Sequence, residues 1–281
     1  RKGQYLSWIG AGAQTMVNSV VGARTNRDGA LLTMASAVTG RAAEWGLYLD
    51  ENRFAEVAVS LEGLDSRGFT LTDYGALGYY VGAIAQGRNI VIDGLPKDMN
   101  VEQIKSLMAP LGTSGAVTMC HIVGVTPDAQ TLGQALRGKD SSETIRVGRD
   151  EIIETKALYG GGEGDPLDMV VFGCPHCTVQ EIRTLASLLQ GKRLAAGKRL
   201  WIGMPHQVYQ LAKLMGYTDA RVAQLAGAYL TVSQVGGSSK PGRAGTDNSH
   251  LFSACCGSSF FWHQQLPGCD HLHLFVRSKS L

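Results

Sequence analysis

Cys174-Pro175-His176-Cys177 lies between an apolar run at residues 167–173 and Thr178-Val179-Gln180-Glu181-Ile182. A strand that delivers thiols to the start of a helix puts them where the helix dipole favours thiolate, the form that binds metal or attacks disulfides. Two chemistries use such a site. One is dithiol exchange between Cys174 and Cys177; the other is ligation of a metal or an iron–sulfur cluster by some of these side chains. A structural zinc site takes about four ligands, more than this turn holds, so Cys120-His121 would have to contribute. The plainer readings are a buried inert thiol for Cys120 and a satisfied core histidine for His121.

A second constellation is cationic. Arg24, Asn26 and Arg27 concentrate guanidinium and amide donors on a glycine-flanked stretch, which suits bidentate recognition of a carboxylate. A solvated loop with a capping Asn is the plainer reading of the same residues. Gly112-Thr113-Ser114-Gly115 would cradle an anion through its backbone N–H groups if it were a loop. Asp50-Glu51-Asn52-Arg53 reads as a solvated turn or a structural ion pair rather than as a catalytic acid.

A frame must hold these side chains, and the hydrophobic pattern outlines it. Residues 30–38 predict a helix closed by Gly40, leaving residues 18–29 in the loop before it. Residues 54–61 alternate as a strand, residues 72–85 read as a helix, and residues 89–94 as a short buried strand. A helix capped by Asn100 follows over residues 100–108. Residues 116–123 fit either a helix or a strand, and the rhythm changes over residues 145–155. From about residue 167 strand and helix alternate: a strand into the cysteine turn, a helix over 179–190, a strand near 199–202 and a helix over 206–215. That alternation predicts a layered α/β sheet with parallel strands.

Composition bounds the function. The 281 residues are 44% hydrophobic and 18% charged, enough apolar material for a large buried core. A formal net charge of +2 and the lack of a basic run argue against nucleic acid as partner. No apolar run reaches the length of a membrane span, and residues 1–20 lack the apolar core of a signal peptide, so no membrane is expected and cytoplasm is the expected location. Thirty-six glycines against eight prolines suit loops that wrap a small ligand.

The cysteine turn locally resembles a thioredoxin-like disulfide oxidoreductase, with Met204-Pro205 imitating the proline that faces such a site. Its place in the chain opposes that reading, because more than half of the chain precedes it. Residues 18–27, Thr113-Ser114-Gly115-Ala116-Val117, residues 121–127 and Gly173-Cys174-Pro175-His176, in that order, resemble the large catalytic region of the aconitase X family, from about Gln14 to about Val232.

The resemblance implies an α/β fold of aconitase-like layered sheets with flanking helices, and a hydro-lyase that dehydrates a small hydroxy acid. Cis-3-hydroxy-L-proline is the preferred substrate, phosphomevalonate the alternative. It also implies an iron–sulfur cluster acting as Lewis acid, with Cys174 as ligand and Cys120 as a weaker candidate, Arg24, Asn26 and Arg27 near the carboxylate, and Ser114 and His176 as catalytic or substrate contacts. Cys177 is expected to pack. The family carries a further upstream cysteine segment and a small swivel domain or subunit as partner; neither is visible here, so this stretch alone is expected to fall short of a complete active site. Residues 1–233 are thus read as a partial catalytic region. Residues 234–281 read as a divergent, poorly ordered tail whose Cys255, Cys256 and Cys269 are not counted as ligands.

Overall fold

The computed structural model describes residues 1–159, 167–192 and 194–217, together with the backbone of Ala228–Ser233. The N-terminal segment forms α1 (Ala11–Met16), a π-helical turn over Val17–Val21 and α2 (Ala30–Thr39), which ends at Gly40 with φ 66° as expected. Asn18 and Ser19 therefore lie in a helical turn, and only residues 22–29 form the loop before α2.

Four parallel strands follow in the order β3-β2-β1-β4: β1 (Val57–Leu61), β2 (Ile90–Ile92), β3 (Cys120–Ile122) and β4 (Glu143–Val147). Ile90-Val91-Ile92 is fully buried, as an unbroken β-branched run in a parallel sheet must be. The connections are α3 (Leu71–Ala85), α4 (Val101–Gly115), the short α5 (Leu132–Ala135) and α6 (Arg149–Leu158). Thr70 with Asp73, and Asn100 with Gln103, start α3 and α4 by reciprocal capping.

Leu77, Leu107, Met108 and Leu111 from the paired helices fill the core against Val57, Ile90 and Ile92. Each such side chain stabilises the fold by roughly 1.5–3 kcal/mol relative to exposure. Glycine lets α3 and α4 approach: a Cβ on Gly78 would overlap the Leu107 carbonyl, and one on Gly115 would overlap the Gly82 carbonyl. On its other flank α4 meets α1, where a Cβ on Gly112 would lie 2.7 Å from the Ala11 backbone.

The second sheet is also parallel, in the order β5-β6-β7, with β5 (Met169–Phe172), α7 (Val179–Leu189), β6 (Arg199–Pro205), α8 (His206–Leu214) and β7 (Ala228–Ser233). Its core holds Cys177, Ile182, Ala186, Leu200, Ile202 and Met204. The fold is the layered α/β arrangement expected from the sequence. Residues 234–281, including Cys255, Cys256 and Cys269, lie outside the described residues.

One element departs from the expectation in a way that matters. The helix begun at Asn100 does not stop at residue 108 but runs through Pro110 to Gly115. Gly112-Thr113-Ser114-Gly115 is accordingly its last turn. It is no anion-cradling loop, because the end of a helix presents carbonyls rather than free N–H groups.

Candidate active site

The loop over residues 22–29 is held from beneath by Asn18, whose Oδ1 accepts the Thr25 N–H at 3.0 Å while its Nδ2 donates to the Thr25 carbonyl at 2.8 Å. The Asn18 Nδ2 also donates to the Thr118 carbonyl at 3.1 Å. Asn26 is buried and grips the neighbouring turn: its Oδ1 accepts the Leu47 N–H at 2.7 Å and its Nδ2 donates to the Trp45 carbonyl at 3.1 Å. Gly46 makes room, since it has φ 58° and a Cβ there would sit 2.5 Å from Asn26 Oδ1.

The two arginines of this loop reach different neighbours. Arg24 donates to the Tyr48 carbonyl at 2.7 Å, pairs with Asp50 and lies over the Tyr5 ring. Arg27 is exposed and rests one nitrogen on the Gly112 carbonyl at 3.1 Å, at the last turn of α4. A guanidinium held this way keeps further N–H groups for a carboxylate.

Asp28, next along, is a residue the sequence reasoning missed. Burial raises its carboxyl above the ordinary value, and its buried Oδ1 has no hydrogen-bond partner among the described residues. Trp8 Nε1 and Thr33 Oγ1 are buried without a partner as well. They belong to the same corner: Ser7 donates to the Thr33 carbonyl, and Gln14 bridges the carbonyls of Trp8 and Asn26. No local pattern in the sequence marks such a corner, because its parts come from separate segments.

Ser114 is not brought to Arg27. Its hydroxyl lies 2.9 Å from both the Tyr79 and Pro110 carbonyls, facing α3, whereas Gly112 faces α1. Two residues along a helix turn by about 200°, which puts these positions on opposite flanks.

The cysteine turn sits on β6. Gly173 has φ 124°, and a Cβ there would lie 2.5 Å from the Gly203 carbonyl oxygen. The Cys177 N–H donates to that same carbonyl at 2.9 Å. Thr178 caps α7, with Glu181 Oε2 accepting the Thr178 N–H at 2.8 Å in return. From the first sheet, Lys105 of α4 pairs with Glu181 and donates to the His176 carbonyl at 3.2 Å, and Glu102 accepts the Thr178 hydroxyl at 2.7 Å.

Within the turn the thiols differ. Cys174 is exposed, while Cys177 is buried in the core. Burial first, then the Glu181 charge, push the Cys177 thiol up to about 11 against the opposing pull of Lys105. The two thiols of the turn are therefore unequal, with Cys174 the accessible one and Cys177 held protonated in the core. Burial and then the Lys105 charge hold His176 below the ordinary histidine value.

Cys120 is fully buried in the first sheet, its thiol driven upward by burial alone. A thiol must ionise to ligate, and this one is set against it. Among the described residues no three His, Cys, Asp or Glu side chains converge as a metal site. These residues do not by themselves fit an iron–sulfur cluster.

The sequence comparisons agree with this architecture. Family models described as aconitase X first, second and third domains match residues 1–51, 55–157 and 167–231. The phosphomevalonate dehydratase large subunit of Methanothermobacter thermautotrophicus is 35% identical over 218 residues, covering 78% of this chain and 52% of that protein. The cis-3-hydroxy-L-proline dehydratase of Pseudomonas aeruginosa is 36% identical over 219 residues, covering 77% of this chain and 37% of that protein. The crystal structure of Thermococcus kodakaraensis aconitase X in its holo-form superposes with a TM-score of 0.71 at 31% identity, covering 82% of this chain and 56% of that one. The chain thus spans about half the length, or less, of the curated relatives it matches.

Proposed function

The chain belongs to the aconitase X family, and from that premise we propose that it is part of a hydro-lyase dehydrating a small hydroxy acid, cis-3-hydroxy-L-proline, to 1-pyrroline-2-carboxylate. The observation that carries the reading is the braced loop over residues 24–27, with the exposed Arg27 guanidinium anchored on the Gly112 carbonyl. In this reading Arg27 binds the carboxylate and Arg24 and Asn26 shape the loop behind it. Holding the carboxylate by two parallel hydrogen bonds stabilises the charge that builds there as the adjacent C–H proton leaves.

His176, half-buried in the turn two residues from the exposed Cys174, is assigned as a proton carrier. Loss of the ring hydroxyl as water then gives an enamine that tautomerises to the cyclic imine. Ser114, half-buried with its hydroxyl engaged by the Tyr79 and Pro110 carbonyls, and Cys120, fully buried, are given no step in this reading. Cys174, the one exposed thiol among the described residues, is the residue here that would ligate an iron–sulfur cluster. The archaeal relatives are large subunits by name, which supports a small partner subunit or domain here too.

Phosphomevalonate is the second reading, favoured by relatives at 34–36% identity carrying that name. Both substrates should be assayed for water loss with the chain and a supplied small subunit. Arg27→Gln should lower kcat/KM for hydroxyproline by about 10–100-fold, the value of a charge-assisted contact. Turnover of phosphomevalonate alone would reverse the substrate assignment, and an unchanged kcat/KM in Arg27→Gln would remove the arginine from the site.

A further inference from the structure

We propose that Arg53 is the positioning residue of the 24–27 loop and acts on it through Asn18. The inference rests on the reading above that this loop binds the substrate carboxylate. Arg53 is 5% exposed, an uncommon place for a guanidinium unless its N–H groups are satisfied. Its Nη1 donates to Asn18 Oδ1 at 3.2 Å and to the Leu47 carbonyl at 3.1 Å. Its Nη2 donates to the Asn18 carbonyl at 3.0 Å and lies 3.5 Å from Asp128 Oδ2.

These contacts fix which way the Asn18 amide faces. With Oδ1 turned to the guanidinium, Nδ2 must point to the carbonyls of Thr25 and Thr118, and Oδ1 must also receive the Thr25 N–H. A flipped amide would bring its NH2 against a cation and leave both carbonyls without their donor. Through Leu47 the same guanidinium braces the 45–47 turn that clamps Asn26. One buried group therefore sets Thr25 and Asn26 together, the two residues between Arg24 and Arg27.

Arg53 is itself held from the other elements around it. His121 Nε2 on β3 lies 2.7 Å from the Arg53 carbonyl, and Asp128, in the loop after β3, also pairs with Lys2. Lysine does not substitute for this geometry, because a single ammonium cannot serve Asn18, Leu47 and Asp128 from the fixed directions of a fork.

The test measures hydrogen–deuterium exchange and the binding of cis-3-hydroxy-L-proline in the full chain, for Arg53→Lys, Arg53→Gln and Arg27→Gln. Arg53→Lys keeps the charge and gives a folded comparison if Arg53→Gln does not fold. The expected result for both Arg53 variants is exchange about tenfold faster or more in the segment containing Thr25, the value of one lost hydrogen bond or more, with Ile90–Ile92 unchanged. The ligand Kd should weaken about tenfold alongside.

Unchanged exchange at Thr25 overturns the proposal, and so does acceleration spread equally over β2, which would make Arg53 a general stabiliser. A looser loop with an unchanged Kd in Arg53→Lys, while Arg27→Gln weakens binding, overturns the positioning role alone. An unchanged Kd in Arg27→Gln overturns the carboxylate reading on which the proposal rests.

Discussion

Gly82 of α3 and Gly115 of α4 back onto one another so closely that a methyl group on Gly115 would occupy the space of the Gly82 carbonyl. The neighbouring helix is backbone there, and backbone does not yield as a flexible side chain does. Gly115→Ala is therefore expected to destabilise the chain by about 2 kcal/mol or more in urea unfolding, the upper part of the usual overpacking cost. Gly133→Ala, in α5 with nothing within 4 Å of an added Cβ, should change stability by no more than about 0.5 kcal/mol. Equal effects of the two substitutions would mean that the α3–α4 contact is looser than described.

Lys105→Met should loosen the cysteine turn from α4 by removing both the Glu181 pair and the hydrogen bond to the His176 carbonyl. The readout is alkylation of Cys177, which is buried behind that turn. Its rate at pH 8 is expected to rise about tenfold, corresponding to roughly 1.4 kcal/mol of lost local stability. Cys174, exposed from the outset, should react at its original rate, and Lys105→Arg should keep Cys177 protected. A Cys177 rate that does not move in Lys105→Met would show that Lys105 does not hold the turn, leaving Glu102 and β6 to do so.

Asp28→Asn tests the raised carboxyl. A carboxyl whose pKa is higher in the folded than in the unfolded chain is bound to more protons when folded, so stability falls as pH rises from the ordinary value of 3.8 through the raised one. The penalty is fully present once the pH lies above the raised value. Asp28→Asn should raise the melting temperature at pH 7, remove that part of the pH dependence and, if the carboxyl takes part in the chemistry, lower turnover in the same variant. A lower melting temperature at pH 7 would show that the charged carboxylate is satisfied in the folded protein.

The frame of the molecule was legible because its signals are local. Ile90-Val91-Ile92, the Asn100 cap and Gly40 each announce their element from a few neighbouring residues. The extent of α4 was not. Gly112 and Gly115 look like loop residues, yet they are glycine because α1 and α3 press on them, and Pro110 stands inside the helix. The same limit applies to the site. Arg24, Asn26, Arg27 and the cysteine turn were visible by residue type and spacing, whereas Arg53 in a polar turn gave no sign that it would be buried under Asn18. Pairings across tens of residues leave no trace in a local pattern, and these are what separate Ser114 from Arg27.

Helix α4 meets the cysteine turn through Glu102 and Lys105 near its start and receives Arg27 on the Gly112 carbonyl near its end. This constrains how the family's parts recombine. A chimera that takes residues 167–217 from a relative must bring partners for Glu102 and Lys105, while one that takes residues 1–51 must suit Gly112. The helix cannot be inherited from either side without being answerable to the other, so residues 101–115 form a joint that is transplanted whole or left in place.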